Sequence, residues 1–475
     1  MAKSIHTNSS LLHPNIPPWI AVAVACTASF MVVMDGAIVN VALPAMQADL
    51  HLSDTALHWV VDAYLLVLGG FMLLAARVGD LYGRRVILQS GLAVFTLASL
   101  AGGLADSGPL LLAARAVQGF GASALATSTL AVILNVYPSG SARGRAISWW
   151  AASSSIASAF GVVAGGVLTT QANWRWVMFV NVPIGLALIA AVAVCLRPTP
   201  VNPTRPKLDM PGAFAITLGM GCLMYGISQS MNQGWASRTV IIALACAAVL
   251  LVTFLVIESK ASHPLIRLDI FGVHNVRMGN IVVLCMGASL TASTFFTSIV
   301  LQRIVGYNAL DTGLAILPMA ITLAVAAMVS RILMDRGVRY LPFVGGMVSA
   351  SGLLWMGMLP VQAEFVPHVL GPMVLIGLGL GLMLMTATHT ALDGVPSQDA
   401  GLASGLFNTA RQLGAALGIA VLSTLAYAVT QNQLSAQTVF LPQVAQLQGY
   451  HAVFVATAGL IALAALVSLT LRRAA

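Results

Sequence analysis

Apolar residues run along this chain in long blocks, and the short stretches between the blocks collect most of the charge. Fourteen blocks are predicted to be membrane-crossing helices, at about residues 19–44, 57–76, 86–105, 109–135, 146–169, 177–196, 211–230, 239–257, 278–300, 312–333, 341–359, 367–390, 401–428 and 450–471. At 1.5 Å per residue each is long enough for a hydrocarbon layer about 30 Å thick. Only helices and closed barrels satisfy their backbone in lipid. The short alternating segments of a barrel are absent, so the predicted class is an all-α integral membrane protein.

The polar stretches divide the helices. The longest interior ones are Arg197–Lys207, which is rich in proline, and Glu258–Arg277. They flank the helix pair at about 211–257 and leave six helices before it and six after. Six plus six is the layout of transporters built from two parallel halves. The expected division is therefore a tail at 1–18, a first half at 19–200, a linker with the inserted pair at 201–260, and a second half with a short tail at 261–475. The loop Gly79-Asp80-Leu81-Tyr82-Gly83-Arg84-Arg85 has a loose counterpart in Asp335-Arg336-Gly337-Val338-Arg339, at the matching place in the second half.

Composition agrees with this pattern. Of 475 residues 59% are hydrophobic and 8% charged, whereas a soluble domain is about a quarter charged. The net charge of +8 raises nucleic acid as a partner until the charges are placed. With the N-terminus in the cytoplasm, that side collects Lys3, Arg77, Arg84, Arg85, Arg143, Arg145, Arg197, Arg205, Lys207, Lys260, Arg267, Arg277, Arg331, Arg336, Arg339, Arg472 and Arg473. The other side holds only Arg175, Arg238 and Arg303. Such a skew is the positive-inside signature. It predicts cytoplasmic termini in a bacterial inner membrane, with lipid rather than nucleic acid as the partner. The five cysteines lie in separate apolar segments with no metal-ligand or redox spacing, and the first apolar run is too long for a cleaved signal.

Against this apolar background a few polar side chains stand out. Asp35 lies about nine residues inside the outer end of the first span, in Met34-Asp35-Gly36-Ala37-Ile38-Val39-Asn40. A charge at that depth is costly and marks function by default. Asp62, in Trp59-Val60-Val61-Asp62-Ala63-Tyr64, sits at a similar depth in the second span. Either it acts in the cavity or it is simply wet at the mouth. Trp59 and Tyr64 offer an organic cation aromatic faces or anchor the interface. Arg115, in Arg115-Ala116-Val117-Gln118-Gly119, stays charged and needs an anionic or carbonyl partner. Asn40, Gln118 and Arg411 are weaker candidates for a substrate cavity, and His389 is an intramembrane histidine whose expected role is structural. Asp80, Gly83, Arg84 and Arg85 form a tight loop expected to act as a conformational latch. Gly161, Gly165 and Gly166, like Gly401/Gly405 and Gly414/Gly418, have the spacing of close helix packing.

Together these residues resemble the major facilitator superfamily, and within it the fourteen-helix drug:proton antiporters. Asp35 to Pro44 is similar to that family's first-helix signature, Ala76 to Leu88 to its loop motif, and Arg115, Gln118 and Gly119 to its fourth-helix motif, which the family links to proton coupling. Asn173-Trp174-Arg175-Trp176 with Asn181-Val182-Pro183 resembles its entry to helix six, and His263-Pro264-Leu265-Ile266 its linker. Asp62 resembles an acidic position in exporters of quaternary ammonium compounds. Ala76 and Leu81 depart from the loop motif, and Val162 stands where the antiporter motif of helix five has proline.

The resemblance implies alternating access, with Asp35, Asp62 and Arg115 at the coupling and substrate site. The expected function is proton-coupled export of amphipathic, often cationic compounds. The alternative is a dedicated exporter of one metabolite or natural product. The proton gradient supplies the energy, so no cofactor or metal is expected, and the chain is expected to act as a monomer. Paired histidines, a nucleophile–base pair and a nucleotide-binding loop are all missing, which argues against an enzyme or an ATP-driven pump. Two halves in one chain argue against a channel.

Overall fold

Proline and small capping side chains set where many of the helices begin. Ser53, Asp209, Ser237 and Asn308 each accept a hydrogen bond from a backbone N–H in the first turn that follows, as N-caps do. Prolines sit in the first turn of others, where a missing N–H costs nothing. Fourteen long helices result among the residues described by the computed structural model, which are 16–137, 140–197, 209–261, 264–265, 268–338, 340–392, 400–435 and 442–471. They are α1 (Pro18–Leu50), α2 (Asp54–Tyr82), α3 (Arg84–Gly103), α4 (Gly108–Val136), α5 (Gly140–Gln171), α6 (Arg175–Cys195), α7 (Met210–Gln233), α8 (Arg238–Lys260), α9 (His274–Arg303), α10 (Ala309–Asp335), α11 (Leu341–Met356), α12 (Gly371–Leu392), α13 (Ala400–Ser435) and α14 (Pro442–Ser468). Each predicted span has its helix. Twelve are long and apolar enough to cross a membrane by length and composition alone, while α5 and α11 contribute shorter apolar stretches.

Two interruptions have local causes. α6 breaks at Val180, between Arg175–Phe179 and Asn181–Cys195. Pro183 has no N–H to offer the carbonyl of Phe179, and its ring crowds that carbonyl. The entry to α12 is a π-helical turn, Phe365–Leu370, that contains Pro367 and is followed by Pro372.

Six helices form each half, and the packing of the first is repeated in the second. In the first half α1 packs on α4, α5 and α6, α2 on α4, and α3 on α4 and α6. In the second half α9 packs on α12, α13 and α14, α10 on α12, and α11 on α12 and α14. The glycines repeat as well. Gly161 and Gly165 of α5 face Met34 and Ile38 of α1, and Gly414 and Gly418 of α13 face Leu284 and Ala288 of α9. The turn ending α2 uses Gly83 at φ 98°, and its counterpart in the second half uses Gly337 at φ 84°. Both lie in a region that favours glycine.

The halves meet along α5–α10, α2–α13 and α1–α9. Glycines let these backbones approach: a Cβ on Gly166 would come 2.7 Å from Leu310 Cα, and one on Gly313 would come 2.6 Å from the Val162 carbonyl. The inserted pair lies outside the twelve. α7 fits Thr217 against Gly70 of α2 and receives at the Ile227 carbonyl a 3.2 Å hydrogen bond from Thr424 of α13. α8 packs behind α7 and leaves Ile241, Val249, Val252 and Leu255 exposed. An apolar surface of that kind is stable only against lipid. The chain is thus a multi-pass membrane protein. The start of the expected linker, residues 201–208 with Arg205 and Lys207, lies outside the described residues.

Candidate functional site

A proline explains how the halves are joined. Pro44 lies inside α1 and has no N–H for the carbonyl of Asn40, four residues earlier. Ser298 of α9 fills that vacancy with an Oγ donation of 2.9 Å, and Gln302 Nε2 donates to the next carbonyl, Val41, at 3.1 Å. Arg303 reaches the Gln47 side chain beyond them. These bonds cluster at the end of the bundle opposite the start of α1. Asn40 therefore lies in the seam, and its side chain donates back to Gly36 O at 2.7 Å.

The charged centre lies deeper, inside the first half. Asp35 is fully buried and Arg115 is 1% exposed. Arg115 Nη1 donates to Asp35 Oδ2 at 2.7 Å and to Gln118 Oε1 at 2.5 Å, and its Nε donates to the Val60 carbonyl at 3.0 Å. The other carboxylate oxygen, Oδ1, accepts from Gln118 Nε2 and from Asn181 Nδ2, each at 2.8 Å. Gln118 Nε2 also donates to Ser99 Oγ at 2.8 Å. Five helices, α1 to α4 and α6, thus converge on one carboxylate–guanidinium pair. A buried pair is tolerated only when its remaining donors and acceptors are largely met; here both carboxylate oxygens and two of the three guanidinium nitrogens have partners.

Tyr64 completes the cluster. Its ring lies 4.2 Å from Arg115 Cζ, its hydroxyl donates to the Val32 carbonyl at 3.4 Å, and it is 2% exposed. This corrects the expectation that Tyr64 faces a cationic ligand or the membrane interface, because its π face is already taken by the protein's own guanidinium. Trp59 is half-buried against the core. Asp62 is different from Asp35. It is 2% exposed, and its Oδ1 has no hydrogen-bond partner. It is therefore not wet at a cavity mouth.

The remaining candidates are scattered. Arg85 Nη2 donates to the Ala193 carbonyl at 3.1 Å, which ties the loop after α2 to the end of α6. Arg84 lies over Gly79, and Gly83 makes the turn. The side chains of Asp80 and His389, and Gly401, lie outside the described residues. Gly161 and Gly165 pack on α1 within the half, whereas Gly166 touches the other half. With Val162 in place of proline, α5 runs unbroken. Arg411 belongs to the second half, away from the cluster. Asn181 and Ser99 were not foreseen as partners of the charged pair. The one available sign was that each is a polar residue in an apolar span.

Residues 25–419 match the model of the Major Facilitator Superfamily. The chain is 39% identical over 409 residues to the cephamycin export protein of Amycolatopsis lactamdurans, covering 85% of this chain and 84% of that one. It is 35% identical over 428 residues to a puromycin resistance protein of Streptomyces alboniger, covering 89% and 84%. A solved peptide transporter of the POT family superposes with a TM-score of 0.69 at 14% identity, covering 96% of this chain and 98% of that one, a likeness of fold alone.

Proposed function

The chain belongs to the Major Facilitator Superfamily, and from that premise we propose that it exports amphipathic, antibiotic-like compounds in exchange for protons by alternating access. It is a transporter and not an enzyme. The export reading draws on relatives named for cephamycin export and puromycin resistance. The proton reading rests on one observation: two buried carboxylates in neighbouring helices, one paired and one unpaired.

Protonating Asp35 breaks an ion pair and leaves Arg115 buried without its counterion, at a cost of about 3–5 kcal/mol. Protonating Asp62 breaks nothing. Asp62 is therefore the exchangeable position, and Asp35 with Arg115 is the fixed centre that locks α1 to α4. The lock holds the first half together while Asp62 takes up and releases the proton. Termini in the cytoplasm of a bacterial cell membrane, as the loop charges indicate, put the α1–α9 seam on the outer side. Reporter fusions after Arg473 giving an external signal would overturn that orientation.

The test uses inside-out vesicles from an exporter-deficient host, loaded with a panel of toxic compounds under an imposed pH gradient. The wild type should move at least one compound against its gradient, and Asp62→Asn should transport without regard to the pH gradient. Unchanged pH dependence in Asp62→Asn would remove Asp62 from the coupling. A single transported compound across the panel would favour the dedicated exporter, a reading supported by relatives each named for one compound.

A further inference from the structure

In the repeat, α9, α10, α12 and α13 stand where α1, α2, α4 and α5 stand in the first half. The first-half set holds the Asp35–Arg115 pair and Gln118, the amide that bonds both. The second-half set holds a different lining. Met286 and Leu290 of α9, Leu323 of α10, and Leu380 and Leu384 of α12 surround Arg411 of α13. Together they line a small recess with a cavity volume of about 10 Å³, about the room of one water molecule.

Arg411 is largely covered, and it makes no hydrogen bond or ion pair with any described residue. A guanidinium stays charged and presents five donors. Holding one among leucines without an acceptor is costly, by several kcal/mol. In the first half the equivalent cost is offset by Asp35. In the second half no described residue offsets it. Its place on the helix is fixed, because Gly287 of α9 admits the Arg411 backbone and Gly69 of α2 admits neighbouring Gln412. The side chain is thus held beside the seam between halves, at the depth where α2 and α13 meet.

We propose that Arg411 is the anchor for an anionic group on the exported molecule, and that the substrates are amphipathic monoanions such as carboxylates. This deepens the exporter reading and rests on it. The recess is far smaller than the roughly 300–1,000 Å³ of a site for a whole drug-sized ligand. The charged end therefore reaches Arg411 as the halves part in alternating access, while the rest of the molecule lies between the halves. Guanidinium and carboxylate pair through two parallel N–H···O bonds, and the Leu and Met side chains suit an adjoining ring or alkyl group. A cation has less to bind in the first half: the Asp35 carboxylate already accepts three hydrogen bonds, the Tyr64 face is occupied, and the unpaired carboxylate there, Asp62, is the group assigned above to the proton.

The test measures binding to the purified full-length protein in detergent micelles. Three probes are used: cephalothin, a monoanionic carboxylate; its uncharged methyl ester; and the monocation ethidium. The wild type should bind cephalothin about tenfold or more tightly than the ester, since a hydrogen-bonded charge contact is worth that much. Arg411→Gln should remove this preference and leave binding of the ester within about twofold. Arg411→Lys, which keeps the charge, should restore part of it. Equal binding of cephalothin and ester by the wild type, or a preference that survives in Arg411→Gln, overturns the proposal. So does ethidium bound more tightly than cephalothin. Transport in vesicles then separates the two readings. Ethidium export without carboxylate binding refutes the anion site alone, whereas no export of any compound refutes the exporter reading.

Discussion

At the scale of single residues, the charged pair was legible because an ionised group in an apolar span must find a partner. Asp35 and Arg115 were the candidates, and the structure joins them at 2.7 Å. Asn181 was not legible as a ligand of Asp35, since 146 positions separate the two and uncharged polar residues recur in membrane helices for many reasons. Tyr64 looked like an interface anchor because an aromatic ring near a helix end has the same sequence signature in either role. The pair makes a direct prediction. Asp35→Asn leaves Arg115 buried against a neutral amide and should lower stability by about 3–5 kcal/mol, read as a lower midpoint in thermal unfolding of the purified protein. The double variant Asp35→Asn with Arg115→Gln should recover most of that loss. A double variant as unstable as the sum of the two singles would mean that the charges are not coupled.

Helix number was the easiest feature to read at the scale of elements, because each crossing needs its own apolar run. Helix ends were harder. α14 begins at Pro442, earlier than the predicted span at 450, because its first turns carry Gln443, Gln446 and Gln448 and stand outside the apolar run. α1 continues to Leu50 for the same reason. The role of Pro44 was not legible at all, since it depends on which helix lies opposite. With α9 in place, Pro44→Ala supplies an N–H to the Asn40 carbonyl and competes with Ser298 for it. The seam should loosen by about one hydrogen bond, 0.5–1.5 kcal/mol. A cysteine placed at Ile304, 7% exposed just beyond the end of α9, in a background without the native cysteines, should then react several-fold faster with a membrane-impermeant thiol reagent. An unchanged rate would show that Ser298 contributes nothing to closure.

Across the whole molecule, the two halves share one packing plan but not one chemistry. The plan was legible in outline from six spans, a pair and six more. The matching contacts, α1 with α5 and α9 with α13, could not be read from residues whose only common feature is small size at helical spacing. The differing chemistry lies in Arg115, which has its carboxylate, and Arg411, which has none among the described residues.

The Arg411 guanidinium has an electrical consequence. A monocation exchanged for one proton moves no net charge, and an uncharged molecule exchanged for one proton moves one. A monoanion leaving as a proton enters moves two charges in the same direction, so a membrane potential contributes about 4.6 kcal/mol per 100 mV to its expulsion. With the pH held equal on both sides, an imposed potassium diffusion potential should therefore drive carboxylate export and produce a measurable current in reconstituted membranes. Carboxylate export that ignores the potential would be electroneutral, and the cell's voltage would then do no work through this protein.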